Sequence, residues 1–215
     1  MIAEPERRMI LSYAPSAAAG AALAALLELD DKLAETVRTT TEPMLGQIRL
    51  QWWNDALAKL DSAPPPAEPL LEAISRDVLR AGVSGAAVAE IAQAWQAVLQ
   101  AELDAAGLKA FAMRGARLFE LAGQVAGAAP ADPLALAGEG WALADLAAGL
   151  SDPGEVAAAR MIAGQALDRA TAMRWSRNGR MLGAMAHLAR LDLAGVHFGS
   201  PKRTARTLWH RLTGK

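Results

Sequence analysis

Three times this chain sets a capping side chain immediately before a proline, at Asp132-Pro133, Ser151-Asp152-Pro153 and Ser200-Pro201. Proline has no N–H to lose in the first turn of a helix and its φ is already set for one. An Asp or Ser just ahead of it accepts from the free N–H groups of that turn. The three sites predict helices over 133–150, 153–171 and 201–213. Pro15 opens a further helix to about Val37, and Thr41-Glu42-Pro43 opens one to about Leu60. Between them and the later helices, Ser62–Pro66 holds Pro64, Pro65 and Pro66 in a row and must be a loop. Helices over 68–81, 85–105, 108–128 and 173–194 complete the reading. β-branched residues are scarce, no period-two pattern persists, and no segment repeats at a fixed spacing. The expectation is an all-α protein, eight or so helices in a single domain over residues 1–215, rich enough in Ala, Leu and Gly for close helix approach. Such a bundle can enclose a central apolar cavity.

Composition removes several functional classes. With no cysteine there are no disulfides, thiolate nucleophiles or Cys-based zinc sites, and a cytoplasmic setting fits. The first ten residues hold no secretory apolar core. The longest apolar run, Ala17–Leu27, falls short of the ~20 residues that span a bilayer. Nucleophile motifs of the G-x-S-x-G kind and phosphate loops are absent. His187, His197 and His210 lie far apart and without ligand spacing, which argues against a metal or general-base role.

The carboxylates that carry chemical interest begin with Asp30-Asp31, on an otherwise apolar helix. Carboxylates four apart on one helical face can bridge a Mg²⁺ that holds a diphosphate. Four residues after Asp30 is Ala34, which has no ligand atom; four after Asp31 is Glu35. Glu28, Asp31 and Glu35 share a face, which is either a metal-binding edge or a solvated one. A working site needs acids from a second helix, and Asp145 is the only charge between Gly140 and Leu150. Asp30, Asp31 and Glu35 are therefore the candidate catalytic residues, with Asp31, Glu35 and Asp145 as candidate Mg²⁺ ligands if the protein is active.

Two further features stand out. Trp52 and Trp53 are adjacent and so point ~100° apart, one toward the core and one toward an interface; Arg49, one turn before Trp53, can stack on it or pair with Glu28 or Asp31. Charge is also polarised along the chain. From Arg169 onward there are ten basic residues against the single acid Asp192, leaving that part about +9 and the remainder about −10. Either the two parts attract each other within the fold or the basic part meets an anionic surface. The last helix places Lys202, Arg203, Arg206, Trp209 and Arg211 where a membrane or a partner can meet them, or docks through Leu208 and Leu212. No nucleic-acid-binding motif accompanies the basic cluster.

The order of these segments resembles the squalene/phytoene synthase family, the head-to-head prenyl diphosphate condensing enzymes. Arg8–Pro15 running into Leu27-Glu-Leu-Asp-Asp31 is similar to the opening helices and the first Asp-rich motif. Gln51-Trp-Trp-Asn-Asp-Ala-Leu57 is similar to the Trp-containing helix that follows, Phe111–Leu121 to the small-residue helix lining the prenyl cavity, and Gly138–Leu150 to the helix of the second Asp-rich motif. The resemblance implies an isoprenoid-synthase-type bundle. Where the family motif has its last ligand, however, this chain has Ala34; Lys32 intrudes, and Asp145, Ala148 and Gly149 stand where Asn, Arg and Asp are expected. The eroded motifs resemble a divergent branch of the family whose mitochondrial member assists assembly of respiratory complex I. That implies a non-catalytic, cofactor-free protein binding a lipid, an isoprenoid or an assembly partner at the inner membrane. The alternative is an active Mg²⁺-dependent prenyltransferase.

Overall fold

The Ser16 hydroxyl accepts from the backbone N–H of Ala19 and starts the longest N-terminal helix of the computed structural model, which describes residues 4–100 and 103–215. The described residues form ten α-helices and no strand, so the protein is an all-α bundle. They are α1 (Glu4–Leu11), α2 (Ala17–Arg38), α3 (Pro43–Lys59), α4 (Pro69–Asp77), α5 (Gly85–Trp95), α6 (Ala105–Ala126), α7 (Leu134–Gly149), α8 (Pro153–Ala172), α9 (Arg180–Leu193) and α10 (Pro201–Thr213). Short 3₁₀ turns follow α4 and α5.

The capping signals place the starts of α7, α8 and α10 within a residue, though not every expected cap forms. Asp152 accepts from Gly154 and Glu155 and opens α8, and the Ser200 hydroxyl faces the Lys202 N–H at the start of α10. Asp132 does not cap α7. Its carboxylate turns away to the backbone N–H of Ala129 and to the N–H and hydroxyl of Ser176. That contact, with Trp175 N–H donating to the Gly214 carbonyl at 2.7 Å, holds 173–179 as a loop where a helix is expected. The expected helix 85–105 ends as α5 at Trp95, and its residues 101–102 lie outside the described residues. The next helix starts early, at Ala105, because Asp104 accepts from Gly107 N–H at 2.7 Å.

One continuous apolar core runs from Ile10 in α1 to Ala189 in α9. Its tightest point is the α6–α7 crossing. A Cβ on Gly115 would strike the Gly138 carbonyl, and a Cβ on Gly138 would strike Gly115. Only two glycines let these backbones touch, and this close approach brings the side chains one turn away on α6 and α7 into one space.

Candidate functional site

The apolar stripe of α2 runs Leu23, Leu26, Asp30, Leu33, so Asp30 occupies a position that helical periodicity gives to the core. It is 4% exposed. On α6 the same is true of Arg114, which lies between Phe111 and Leu118 and is 2% exposed. The two meet as a fork: Arg114 Nε donates to Asp30 Oδ1 and Nη2 to Asp30 Oδ2, both at 2.5 Å. Arg114 Nη2 also donates to Asp145 Oδ2 of α7 at 2.9 Å. Trp95 Nε1 supplies a further donor to Asp30 Oδ1 at 3.0 Å.

Aromatic rings enclose the guanidinium. Its central carbon lies 4.4 Å from the ring centre of Trp95, 4.9 Å from that of Trp141 and 5.0 Å from that of Phe111. Ring faces attract a cation and leave the remaining positive charge solvated by π density rather than water. The free volume among Leu27, Asp30, Asp31, Arg114, Trp141 and Asp145 is only about 20 Å³, close to what one water needs. The central apolar cavity expected between these helices is therefore filled by the guanidinium and its rings.

Electrostatics follow from this packing. Burial pushes the Asp30 carboxyl above its ordinary value; Arg114 and the Trp95 N–H pull against that rise, and Asp145 adds to it. For Asp145 burial also raises the pKa, but the Arg114 charge and a further interaction outweigh it and leave it lowered. Arg114 is held as a cation despite its burial, by the charges of Asp30 and Asp145.

The sequence-predicted acids are divided by the structure. Asp30, whose i+4 position is the non-ligating Ala34, is the one that enters the core. Asp31 is half-exposed and pairs with Arg7 of α1. Glu35 is exposed and pairs with Lys32 at 2.9 Å, and Glu28 is exposed. Glu28 and Glu35 thus lie on a solvent-facing edge with Asp31 at its inner margin, and no group of three His, Asp or Glu side chains among the described residues is placed to hold a metal ion. Of the proposed ligands, Asp31 and Asp145 border the same small space as Asp30 and Arg114, whereas Glu35 is exposed and held by Lys32, so the three are not brought together. Arg114 was not among the predicted residues. Its signal was its register: Arg114 falls on the Phe111–Leu118 stripe of α6, whereas Lys109 and Arg117 of the same helix do not.

Asp145 also borders a second space. A cleft of about 410 Å³ lies between α7, α9 and the loop 195–198, lined by Trp141, Ala144, Met185, Leu188 and Phe198 with Glu6, Asp145, Asp192, His197 and Arg203 at its polar margin. Its size and mostly apolar lining suit a small hydrophobic ligand.

Other predicted residues fall as follows. Trp53 is 6% exposed and Trp52 is 50% exposed, the inside–outside split that adjacency requires. Arg49 neither pairs with Glu28 nor Asp31 but donates to the Thr40 hydroxyl at 2.9 Å. His187 and His210 are buried, with ring centres 4.6 Å apart, and Arg206 lies against His187. Arg203 is not a surface cation. It is 4% exposed and bonds Glu6 of α1 at 2.6 and 2.8 Å and Asp192 at 2.5 Å. Leu208 and Leu212 do not dock on the bundle, being 46% and 68% exposed.

No family model matches this chain, and neither a curated protein nor a solved structure matches it. No helix among the described residues is long and apolar enough to cross a membrane.

Proposed function

We propose that this protein is a non-catalytic, squalene/phytoene-synthase-like helical bundle that acts as a lipid- or protein-binding assembly factor at a membrane surface, with respiratory complex I as the assembly suggested by the sequence resemblance. The observation that carries the non-catalytic part is the Asp30–Arg114–Asp145 bridge. A prenyl diphosphate leaves only when metal charge neutralises its departing oxygens, and metal ions there need carboxylates free to ligate. In this chain the acids of α2 and α7, Asp30 buried and Asp145 partly buried, are already bound by a guanidinium from the same polypeptide. Arg114 does structurally what a metal would do electrostatically, in a space with no room for a diphosphate. The cleft beside Asp145, at about 410 Å³, supports the ligand-binding part of the reading.

The test is turnover. Purified protein with Mg²⁺ and farnesyl or geranylgeranyl diphosphate should release no diphosphate, and Mg²⁺ should leave its melting temperature unchanged. Metal-dependent diphosphate release that is lost in Asp30→Asn would overturn the proposal and restore the active prenyltransferase.

A further inference from the structure

Helix α10 is built inside out. Its buried residues are Arg203, Thr207 and His210, all polar. Its outward face is Ala205, Leu208, Trp209 and Leu212, all exposed. These positions share one side of a helix by the 3.6-residue repeat. An amphipathic helix normally turns its apolar side to the core. Here the polar side is held inward by the ion pairs of Arg203 with Glu6 and Asp192, and the apolar side is left facing water.

Beside the C-terminal end of this face lies a cleft of about 650 Å³, lined by Arg177, Arg180 and Arg211 with Tyr13, Asn178 and Leu212. Among the described residues, no Asp or Glu side chain lines it. Arg180 is fixed in place, its Nη1 donating to the carbonyls of Arg211 and Leu212 at the end of α10. The Arg211 guanidinium lies 4.7 Å from the Tyr13 ring centre. Leu212 belongs both to the cleft and to the apolar face, so the two are continuous. From Leu193 to Lys215 the chain carries no acid, and Lys202 and Lys215 add exposed positive charge.

We infer that α10 is a membrane-docking helix for an anionic phospholipid leaflet: Leu208, Trp209 and Leu212 enter the interface while the Arg177–Arg180–Arg211 cleft takes a lipid phosphate. The charge pattern selects this occupant. Guanidinium forks match phosphate oxygens, Trp favours the headgroup level, and a basic amphipathic helix with a Trp/Leu face lies in the plane of a bilayer. The inference rests on the membrane part of the proposed function and gives it a site.

The test is vesicle flotation of the full chain with phosphatidylcholine alone or mixed equally with phosphatidylglycerol. Wild type should float with the mixed vesicles and weakly with phosphatidylcholine. Replacing the three exposed residues (Leu208→Ser, Trp209→Ser, Leu212→Ser) should lower partitioning at least about tenfold, because each large apolar side chain contributes a several-fold gain on burial. Arg177→Gln with Arg211→Gln should remove the preference for the anionic lipid, roughly fivefold per charge. Unchanged circular dichroism and melting in both variants guards against misfolding. If wild type floats with neither vesicle, the membrane reading itself fails. If it floats with mixed vesicles but both variants float equally well, only the α10 site fails. Binding of inorganic phosphate by calorimetry without flotation would make the cleft a free-phosphate site, and concentration-dependent dimerisation lost in the triple variant would make the face a self-association surface; either overturns the inference.

Discussion

Replacing Arg114 with methionine isolates the bridge at the centre of the bundle. Methionine keeps most of the volume and the contact with Trp95, Phe111 and Trp141 but removes the charge. In wild type Asp30 receives two bonds from Arg114 at 2.5 Å and one from Trp95 at 3.0 Å. In Arg114→Met it keeps the Trp95 N–H of these three and stays 4% exposed in an apolar wall. Breaking one side of a buried ion pair costs about 3–5 kcal/mol. For a chain of this length that is a fall of roughly 6–20 °C in melting temperature. The loss must also depend on pH in a definite direction. Without Arg114 the Asp30 carboxyl rises further above its unfolded value. A folded state with a raised carboxyl pKa binds the proton more tightly than the unfolded chain, so it gains stability as pH falls. The deficit of the variant against wild type should therefore be largest at neutral pH and shrink toward about pH 5. Urea unfolding at several pH values measures it, and Asp30→Asn/Arg114→Met should recover part of the loss at neutral pH. A deficit below about 1 kcal/mol, the range of an exposed pair, or one that does not shrink on acidification, would refute the buried-bridge argument.

Two other perturbations read the packing and the second buried charge cluster. Gly138→Ala places a methyl group against the Gly115 backbone, while Gly164→Ala in α8 meets nothing within 4 Å. Helix propensity alone favours both by up to about 1 kcal/mol, so Gly164→Ala should raise the melting temperature. Gly138→Ala should lower it, because forcing the helices apart costs about 1–3 kcal/mol or more; equal shifts would deny the close crossing. Burial pushes His187 down to about 3 and His210 down to about 4, with Arg206 disfavouring a charge on either. Both stay neutral in the folded state while the unfolded chain gains protons below about pH 6.5. Stability is therefore full above that pH and falls as pH drops toward about 4, by up to ~1.4 kcal/mol per pH unit for each His. His187→Gln/His210→Gln should flatten that slope in urea titrations; an unchanged slope would assign acid lability elsewhere.

What could be read from the sequence was what short-range chemistry decides. Ser200-Pro201 and Asp152-Pro153 work within one turn, so the starts of α8 and α10 were visible. Asp132-Pro133 has the same local form and also places its helix, α7, within a residue, yet its carboxylate is taken by Ser176, 44 residues away, and no local pattern carries that competition. The same distance effect hid the site. Asp145 was conspicuous as the only charge between Gly140 and Leu150, but its cation lies on another helix, 31 residues earlier. Arg114 alone looks like any long side chain that can reach solvent. Two opposite charges on the inward faces of separate helices constrain each other, because neither can be buried without the other. Helix α10 makes the converse point. Its amphipathicity was plain, and the ordinary rule would put the leucines inward. What reverses it is Glu6, 197 residues upstream of Arg203. An inward-facing arginine on a helix with a strong apolar opposite face is thus the sign to look for. It marks a helix whose orientation is fixed by an ion pair and whose apolar face remains available to something outside the fold.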